Sequence, residues 1–235
     1  SSDGQTCVGL EPQRFGAALQ DQQGLLWVDL EQEAPENCEG LLHTLSGFHP
    51  VAIEDALHES DVCKIDDWGD YLYIVLHEIT FDPVLGTQEL DVFLGKNYLV
   101  THHTEPIRAL ERIHSLCERD ERNLGRGPSY LLYRLCDELA TDYMAIIDQI
   151  DHRVDVLEDA IFDRTKPLLL QDIFNLKRAL ILLRSVVSRT REVVNRLARG
   201  DCAALDDEIC VFFRDVYDQF VRLHDVTEGL RDVLT

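Results

Sequence analysis

The chain has 235 residues, of which 45% are hydrophobic, and this is enough to build a substantial buried core, so an intrinsically disordered protein is excluded. It carries 22 basic and 44 acidic side chains, for a formal net charge of −22, and residues 1–100 hold 3 basic and 19 acidic residues. Nucleic acid is therefore excluded as a partner, because phosphate backbones bind chiefly to Lys and Arg, and cations are the expected ligands.

The first part of the chain predicts alternating strands and helices. A short helix is predicted from Pro35 to about Gly47, and a second amphipathic helix over 49–58. A third helix is predicted from Pro106 to about Glu121. Strands are predicted where Val, Ile, Leu, Tyr and Phe accumulate, over 25–30, 71–81, 89–94 and 97–102, with turns at 82–86 and 95–97. The last three strands are expected to form an antiparallel meander.

Beyond residue 128 the sequence is wholly helical. Two long apolar stripes, over 132–161 and 169–197, predict two helices separated by a turn at 163–167. Residues 128–164 carry nine acids and three bases, whereas residues 169–199 carry seven bases and two acids. This complementary charge favours an antiparallel helical hairpin.

A last, stalk-like helix is predicted from Asp206 to Thr235. Its apolar residues are spaced by three and four, with Thr227 as the exception: Ile209, Phe213, Val216, Phe220, Leu223, Leu230 and Leu234. A helix C-terminus normally shows Gly or Asn just past the last periodic residue, and none is present here. We therefore expect the helix to continue in a longer parent protein and its seam to associate with other copies.

Together these stretches predict an α/β (α+β) fold. An N-terminal mixed sheet flanked by helices is followed by a long antiparallel helical hairpin and a long stalk helix. The corresponding parts are an α/β head over 1–125, the hairpin over 126–200 and the stalk helix over 201–235.

Cysteine usage and hydropathy exclude further classes. The seven cysteines are an odd number without a Cys-x-x-Cys pair, so neither a disulfide framework nor a thiolate zinc site is predicted. No apolar run approaches the ~18 to 20 residues that span a bilayer, and the polar residues 1–4 do not form a signal peptide. We expect free, mostly buried thiols and a fragment that is itself soluble.

Three acidic clusters stand out because each adjoins apolar structure. Glu54 and Asp55 lie in the helix over 49–58, Asp137 lies on the first long helix, and Asp215 interrupts an apolar stretch of the last helix. Oxygen-only ligand sets of this kind suit Mg²⁺ or Ca²⁺. The spacing alone also permits simple capping or salt-bridge roles for these carboxylates.

Four collinear sequence patterns resemble the CorA family of divalent-cation transporters. In chain order they are His49-Pro50-Val51-Ala52-Ile53-Glu54-Asp55-Ala56-Leu57, Asp70-Tyr71-Leu72-Tyr73-Ile74-Val75-Leu76, Tyr130-Leu131-Leu132-Tyr133 and Phe213-Arg214-Asp215-Val216-Tyr217-Asp218. The resemblance covers nearly the whole chain. It implies a homopentameric Mg²⁺ and Co²⁺ channel, of which this chain would be the funnel domain on the cytoplasmic face of the cell membrane, truncated before the membrane helices.

The resemblance also implies roles for four residues. In the family, the Asp that follows a Pro-x-x-x-Glu pattern pairs with the stalk Asp of the neighbouring subunit, and these positions are Asp55 and Asp215 here. A second, looser position corresponds to Glu54 and Asp137. Bound Mg²⁺, with Co²⁺ or Ca²⁺ as alternatives, would bridge adjacent subunits and hold the pore closed. Loss of the ion would let the subunits move apart asymmetrically and conduct.

Two features depart from the family pattern or compete with it. Gln219 stands where members of the family often carry His, which removes any role that requires an imidazole there. The His102-His103 pair suggests zinc, and hence a ZntB-like transporter, as an alternative. A strand-end His pair with no acidic or thiol partner nearby is more often structural.

An enzyme is not predicted. The sequence has no Gly-rich phosphate loop, no Gly-x-Ser-x-Gly elbow and no His-Glu-x-x-His pattern. A soluble helical scaffold that binds partners through the basic face of 169–199 is a further alternative. It accounts for the heptads and for the charge complementarity, but not for the patterns in the head.

Overall fold

The computed structural model describes residues 7–21, 24–60, 62–82, 84–162 and 169–233. The helices within these ranges are α1 (Phe15–Gln20), α2 (Pro35–Ser46), α3 (Pro50–Leu57), α4 (Arg108–Arg119), α5 (Pro128–Phe162), α6 (Leu169–Arg199) and α7 (Cys210–Val233). The strands are β1 (Leu26–Glu31), β2 (Lys64–Asp67), β3 (Tyr71–Phe81), β4 (Leu85–Gly95) and β5 (Tyr98–His103). No helix in the described part of the chain is both long and apolar enough to cross a membrane.

The five strands form one mixed sheet in the order β1-β5-β4-β3-β2. β1 pairs with β5 in parallel, with Leu26 opposite Tyr98, whereas the other neighbours are antiparallel. The predicted mixed sheet with its meander is therefore confirmed. The parallel pair joins the first strand to the last, so the connection between them contains α2, α3 and the three remaining strands.

The two faces of the sheet are covered by different helices. Because successive side chains of a strand point to opposite faces, Tyr73 and Ile74 belong to two separate hydrophobic clusters. The cluster that contains Tyr73 also contains Leu42 of α2 and Ile53 of α3. The cluster that contains Ile74 is larger and continues into α4, α5, α6 and α7. The helices before β2 and those after β5 thus lie on opposite sides of the sheet.

The three long helices alternate in direction. Tyr133 of α5 contacts Phe213 of α7 and Tyr143 contacts Phe220, so residue numbers rise together and these helices run the same way. In the middle of α6 Arg184 pairs with Glu228 of α7, and just past the C-terminal end of α6 Gly200 lies against Cys210. α6 therefore runs opposite to both neighbours, which confirms the antiparallel arrangement. The predicted turn at 163–167 lies outside the described residues.

The heptad seam of α7 is buried inside the same chain. Its described members are all buried: Ile209, Phe213, Val216, Phe220, Leu223 and Leu230. Thr227 lies on the same face, where its hydroxyl donates to the Leu223 carbonyl oxygen at 2.7 Å. Leu234 lies outside the described residues. α5 and α6 already cover the seam, so copies of the chain could associate through this part of α7 only by another face of the helix. Association between copies stays a prediction.

Several boundaries differ from those predicted. β4 begins at Leu85 rather than at residue 89, because the polar residues 86–88 pair with the end of β3. α4 ends at Arg119 and is followed by a 3₁₀ helix over Glu121–Arg126.

The short elements α1 and β2 were not predicted. β2 is only four residues long with three of them charged, so its strand conformation depends on pairing with β3 rather than on β propensity.

Candidate divalent-cation site

The short helix α3 presents two of the candidate carboxylates to solvent. Pro50 occupies its first turn, and the His49 imidazole Nδ1 accepts a hydrogen bond from the Val51 amide at 3.2 Å. The apolar face of α3 is buried in the sheet cluster. Because Glu54 and Asp55 lie on the other side of the helix, Glu54 is exposed and the Asp55 side chain is 39% exposed.

The Asp55 carboxylate forms an ion pair within the chain. The Lys64 ammonium Nζ lies 2.5 Å from Asp55 Oδ2 and 3.1 Å from Asp66 Oδ2. It also lies 5.1 Å from the centre of the Tyr73 ring. Partial burial lowers the pKa of Lys64, but the hydrogen bonds to Asp55 and Asp66 outweigh that effect and raise it. Lys64 is therefore a cation at neutral pH.

Asp137 on α5 is half-buried and has two side-chain partners. Gln219 of α7 donates from Nε2 to Asp137 Oδ1 at 3.0 Å, and Arg134 Nη1 lies 3.3 Å from Oδ2. Arg134 is shared, since its Nη2 also lies 2.9 Å from Glu138 Oε1. Asp137 is thus part of a polar network between two helices.

Asp215, like Glu54, is exposed to solvent. It lies on the face of α7 opposite the buried residues Phe213 and Val216, and its side chain is exposed together with Asp218. Within the described residues, the Asp215 carboxylate has no hydrogen bond or ion pair of its own. Such a carboxylate is free to contact an ion or another molecule.

One chain does not bring the four candidates together. Asp55 and Glu54 lie with α3 on one side of the sheet, whereas Asp137 and Asp215 lie on helices of the opposite side. In the part of the chain that the structure describes, no group of three or more His, Cys, Asp and Glu side chains is placed to hold a metal ion. An ion that contacts both Asp55 and Asp215 would therefore have to lie between two copies of the chain.

The His102-His103 pair does not form a common site. His102 Nδ1 lies 3.1 Å from Asp91 Oδ2, and Tyr73 donates to the other Asp91 oxygen at 2.7 Å. His103 Nε2 lies 3.2 Å from Asp29 Oδ1. Because neighbouring residues of β5 point to opposite faces, the two imidazoles cannot share one zinc ion. The expectation that this pair lacks acidic partners is wrong, since each histidine has one.

A polar network that sequence reasoning missed surrounds Asp29. Its carboxylate accepts from the Thr101 hydroxyl at 2.5 Å and contacts His103 Nε2 and His114 Nε2, each at 3.2 Å. The Trp27 ring stacks on His114 with centroids 4.0 Å apart. The register that pairs Asp29 with Thr101 is a tertiary feature of parallel strands, and no sequence pattern indicates it.

Hydrogen bonding decides the charge state of this network. Burial raises the pKa of Asp29, but the hydrogen bonds from His103, His114 and Thr101 outweigh it, so the pKa lies well below its ordinary value. Burial lowers the pKa of His103, and the hydrogen bond to Asp29 more than restores it, so this pKa is raised. Asp29 and His103 therefore form an ion pair that joins β1 to β5.

Six of the seven cysteines are buried packing residues. Cys7 is exposed, and the other six thiols are free and buried. Cys63 illustrates their environment, with Sγ 3.1 Å from His77 Nδ1 and 3.4 Å from the Thr190 hydroxyl. Burial raises the pKa of Cys63 to about 11, so the reactive thiolate is scarce at neutral pH.

Comparison with known proteins identifies the family. Residues 22–235 match the family model described as "CorA-like Mg2+ transporter protein". The cobalt/magnesium transport protein CorA of Thermotoga maritima is 31% identical over 198 residues, which are 80% of this chain and 55% of that protein. The putative metal ion transporter YfjQ of Bacillus subtilis is 27% identical over 214 residues, 91% of this chain and 67% of that protein. The chain thus spans about two thirds or less of the length of these relatives.

Solved structures show the same fold. The soluble domain of CorA from Methanocaldococcus jannaschii superimposes with a TM-score of 0.79 at 23% identity, over 88% of this chain and 84% of that one. The ZntB cytoplasmic domain from Vibrio parahaemolyticus gives a TM-score of 0.75 at 13% identity, over 88% and 82%. This chain therefore shares its fold with both a CorA soluble domain and a ZntB cytoplasmic domain. The match of residues 22–235 to the family model shows that the chain belongs to the CorA-like Mg²⁺ transporter family.

Proposed function

We propose that this chain is the cytoplasmic regulatory domain of a CorA-type magnesium and cobalt transporter. It would sense intracellular Mg²⁺ at carboxylates shared between neighbouring subunits and thereby gate the channel. Family membership supports the transporter, as does the relative named a cobalt/magnesium transport protein. One observation carries the sensing site: Asp55 and Asp215 are both accessible, yet they lie on opposite sides of the sheet in one chain.

The electrostatics of such a site provide a gating force. Two carboxylates about 5 Å apart repel each other by roughly 3 kcal/mol at an effective dielectric constant near 20. A divalent ion between them makes the interaction attractive, and a ring of subunits repeats the effect at every interface. Loss of the ion would therefore drive Asp55 and the neighbour's stalk carboxylate apart and release the closed state.

The ligand chemistry suits a weak sensor. Mg²⁺ usually keeps several waters and takes one or two carboxylates directly, so two aspartates from different subunits suffice. Co²⁺ and Ca²⁺ accept the same oxygen donors and would compete there.

Glu54 and Asp137 form the second, looser position in this proposal. Asp137 would have to exchange its contacts with Gln219 and Arg134 for an ion, which makes this position the weaker one.

The full-length transporter is proposed to be a homopentamer that is anchored in the membrane and holds this domain on the cytoplasmic side. The stalk helix α7 would face its neighbours with its exposed side, which includes Asp215, because its apolar seam is already covered by α5 and α6. Binding of Mg²⁺ at the interface would then act directly on α7.

A ZntB-like zinc transporter is the second candidate. It rests on the TM-score of 0.75 to a ZntB cytoplasmic domain. The separation of His102 and His103 to opposite faces gives no support to a zinc site at that pair. Half-saturating concentrations of Mg²⁺, Co²⁺ and Zn²⁺, compared in the assay below, separate the two candidates.

Limited proteolysis and sedimentation, each with and without millimolar Mg²⁺, test the sensing site. We expect Mg²⁺ to increase protease resistance and self-association of the wild-type chain, and the double variant Asp55→Ala with Asp215→Ala to lose both responses. Asp225→Ala removes an exposed carboxylate from the same helix and serves as the control. Identical behaviour of wild type and double variant would reject the site. The same variants in the full-length transporter, measured as Mg²⁺ block of ion flux, extend the test to gating.

A further inference from the structure

Lys64 is a basic residue in the strongly acidic first part of the chain, and it forms an ion pair with a candidate metal ligand. Only three basic side chains occur among residues 1–100, and Lys64 is the one that lies against a candidate metal ligand. Its ammonium is held by two carboxylates, Asp55 at 2.5 Å and Asp66 at 3.1 Å. A cationic group therefore already occupies the place next to Asp55 that a hard metal ion would take.

The fold keeps this ammonium in position. Lys64 lies on the edge strand β2 opposite Val75, and its side chain points to the side of the sheet that carries α3. The ring of the fully buried Tyr73 lies beneath the ammonium. The Lys64 side chain is only 29% exposed, so the ion pair is better shielded than a typical surface pair.

The strand itself is anchored on both sides of Lys64. Arg196 of α6 donates to the Ile65 carbonyl oxygen at 2.6 Å, and the Cys63 thiol lies 3.4 Å from the Thr190 hydroxyl of the same helix. Because the backbone is held in this way, release of Asp55 would be a movement of the long Lys64 side chain alone. Asp66 offers the ammonium a second carboxylate that it already contacts.

We propose that Lys64 is a tethered competitor of the divalent ion, which occupies Asp55 when the ion is absent and leaves it when the ion binds. This inference rests on the proposed sensing role of Asp55. Binding then takes place only in the fraction of chains in which Asp55 is free, so the ion pair lowers the apparent affinity of the site. Lys64 would thereby set the concentration range over which the domain responds.

Lys64→Met tests the proposal because it removes the charge and keeps the apolar stem. In the protease-resistance assay we expect half-maximal protection at a lower Mg²⁺ concentration, by about two- to fivefold, the range expected when an ion pair of this exposure is lost. Lys96→Met removes an equal charge from an exposed position of the same acidic half and should leave the midpoint unchanged. Equal midpoints for Lys64→Met and Lys96→Met would overturn the inference.

A second measurement uses the wild-type chain and does not depend on how the variant folds. Acylation of the Lys64 amine, followed by mass spectrometry, should become faster as Mg²⁺ is added, with Lys96 as the internal reference. An unchanged Lys64 rate in a chain that does respond to Mg²⁺ would overturn the competitor role and leave the sensing site intact. A wild-type chain without any Mg²⁺ response would overturn both proposals.

Discussion

Gln219 of α7 donates a hydrogen bond from Nε2 to Asp137 Oδ1 of α5 at 3.0 Å. The two residues lie 82 positions apart in the sequence, and the bond ties the stalk helix to the first long helix. The position that lacks the imidazole expected for the family thus retains a hydrogen-bond donor. It acts on one of the candidate metal ligands, so Gln219 both stabilises the helix pair and orients the Asp137 carboxylate.

Gln219→Ala should lower the free energy of unfolding by about 1 to 2 kcal/mol, because it removes a hydrogen bond to a charged group and leaves one oxygen of a half-buried carboxylate without that donor. Urea denaturation measures the change. Asp218→Asn, at an adjacent exposed position, should change stability by less than about 0.5 kcal/mol. Equal effects of the two substitutions would show that the bond to Asp137 contributes nothing.

The Asp29–His103 ion pair predicts a window of pH in which it stabilises the fold. The pKa of His103 is raised above its ordinary 6.5, so its contribution is complete below about pH 6.5 and is lost as pH rises through the higher folded value. The pKa of Asp29 is lowered below its ordinary 3.8, so its contribution is complete above about pH 3.8 and is lost as pH falls through the lower folded value.

The stability difference between wild type and His103→Gln should therefore be largest between about pH 4 and 6.5. Denaturant unfolding at a series of pH values measures it. His43→Gln, at an exposed helical position, provides the control and should follow the wild-type curve. A difference for His103→Gln that does not vary with pH would contradict the assignment of charge to this pair.

Packing of the α7 seam predicts a large loss of stability for a single truncation. Phe220 is fully buried and meets Tyr143 edge-to-face with ring centroids 5.6 Å apart. Phe220→Ala should lower the free energy of unfolding by about 3 to 5 kcal/mol. Val226 of the same helix is 43% exposed, so Val226→Ala should lower it by less than about 1 kcal/mol. Because the seam is filled by the same chain, the loss should not depend on protein concentration. Denaturation at two concentrations checks this, and a clear dependence would point to association through the seam.

Two glycines in different surroundings, Gly95 at the turn between β4 and β5 and Gly40 inside α2, predict opposite effects of substitution by alanine. A Cβ atom on Gly95 would lie 2.2 Å from the Tyr98 ring, so Gly95→Ala must displace that ring and should cost about 1 to 3 kcal/mol. Gly40 lies inside α2 with nothing within 4 Å of an added Cβ, so Gly40→Ala should stabilise by about 0.5 to 1 kcal/mol. Thermal unfolding of both variants tests the contrast, and equal shifts would refute it.

Elements with strong local signals could be predicted from the sequence. α2 begins at Pro35 and ends before Gly47, whose φ of 63° suits glycine, and both residues are local signals. β3 coincides with the predicted run over 71–81 because its residues favour strands by themselves. β2 could not be predicted, since its charged residues adopt a strand only when β3 supplies the hydrogen bonds.

The candidate ligands were predicted from sequence patterns, but their neighbours were not. Asp55 and Asp137 are indicated by the patterns that resemble the family. The contacts of these carboxylates with Lys64 and Gln219 depend on how β2 lies beside α3 and how α7 lies beside α5. No local pattern carries that information, because the partners come from separate elements.

By itself, the sequence determined which residues of the last helix are buried. A spacing of three and four places Phe213 and Phe220 on one face of any helix, and the hydrophobic effect requires that face to be covered. Only the tertiary structure decided what covers it, namely α5 and α6 of the same chain. Periodicity defines an apolar face, but the occupant of that face depends on the directions and lengths of the helices packed around it.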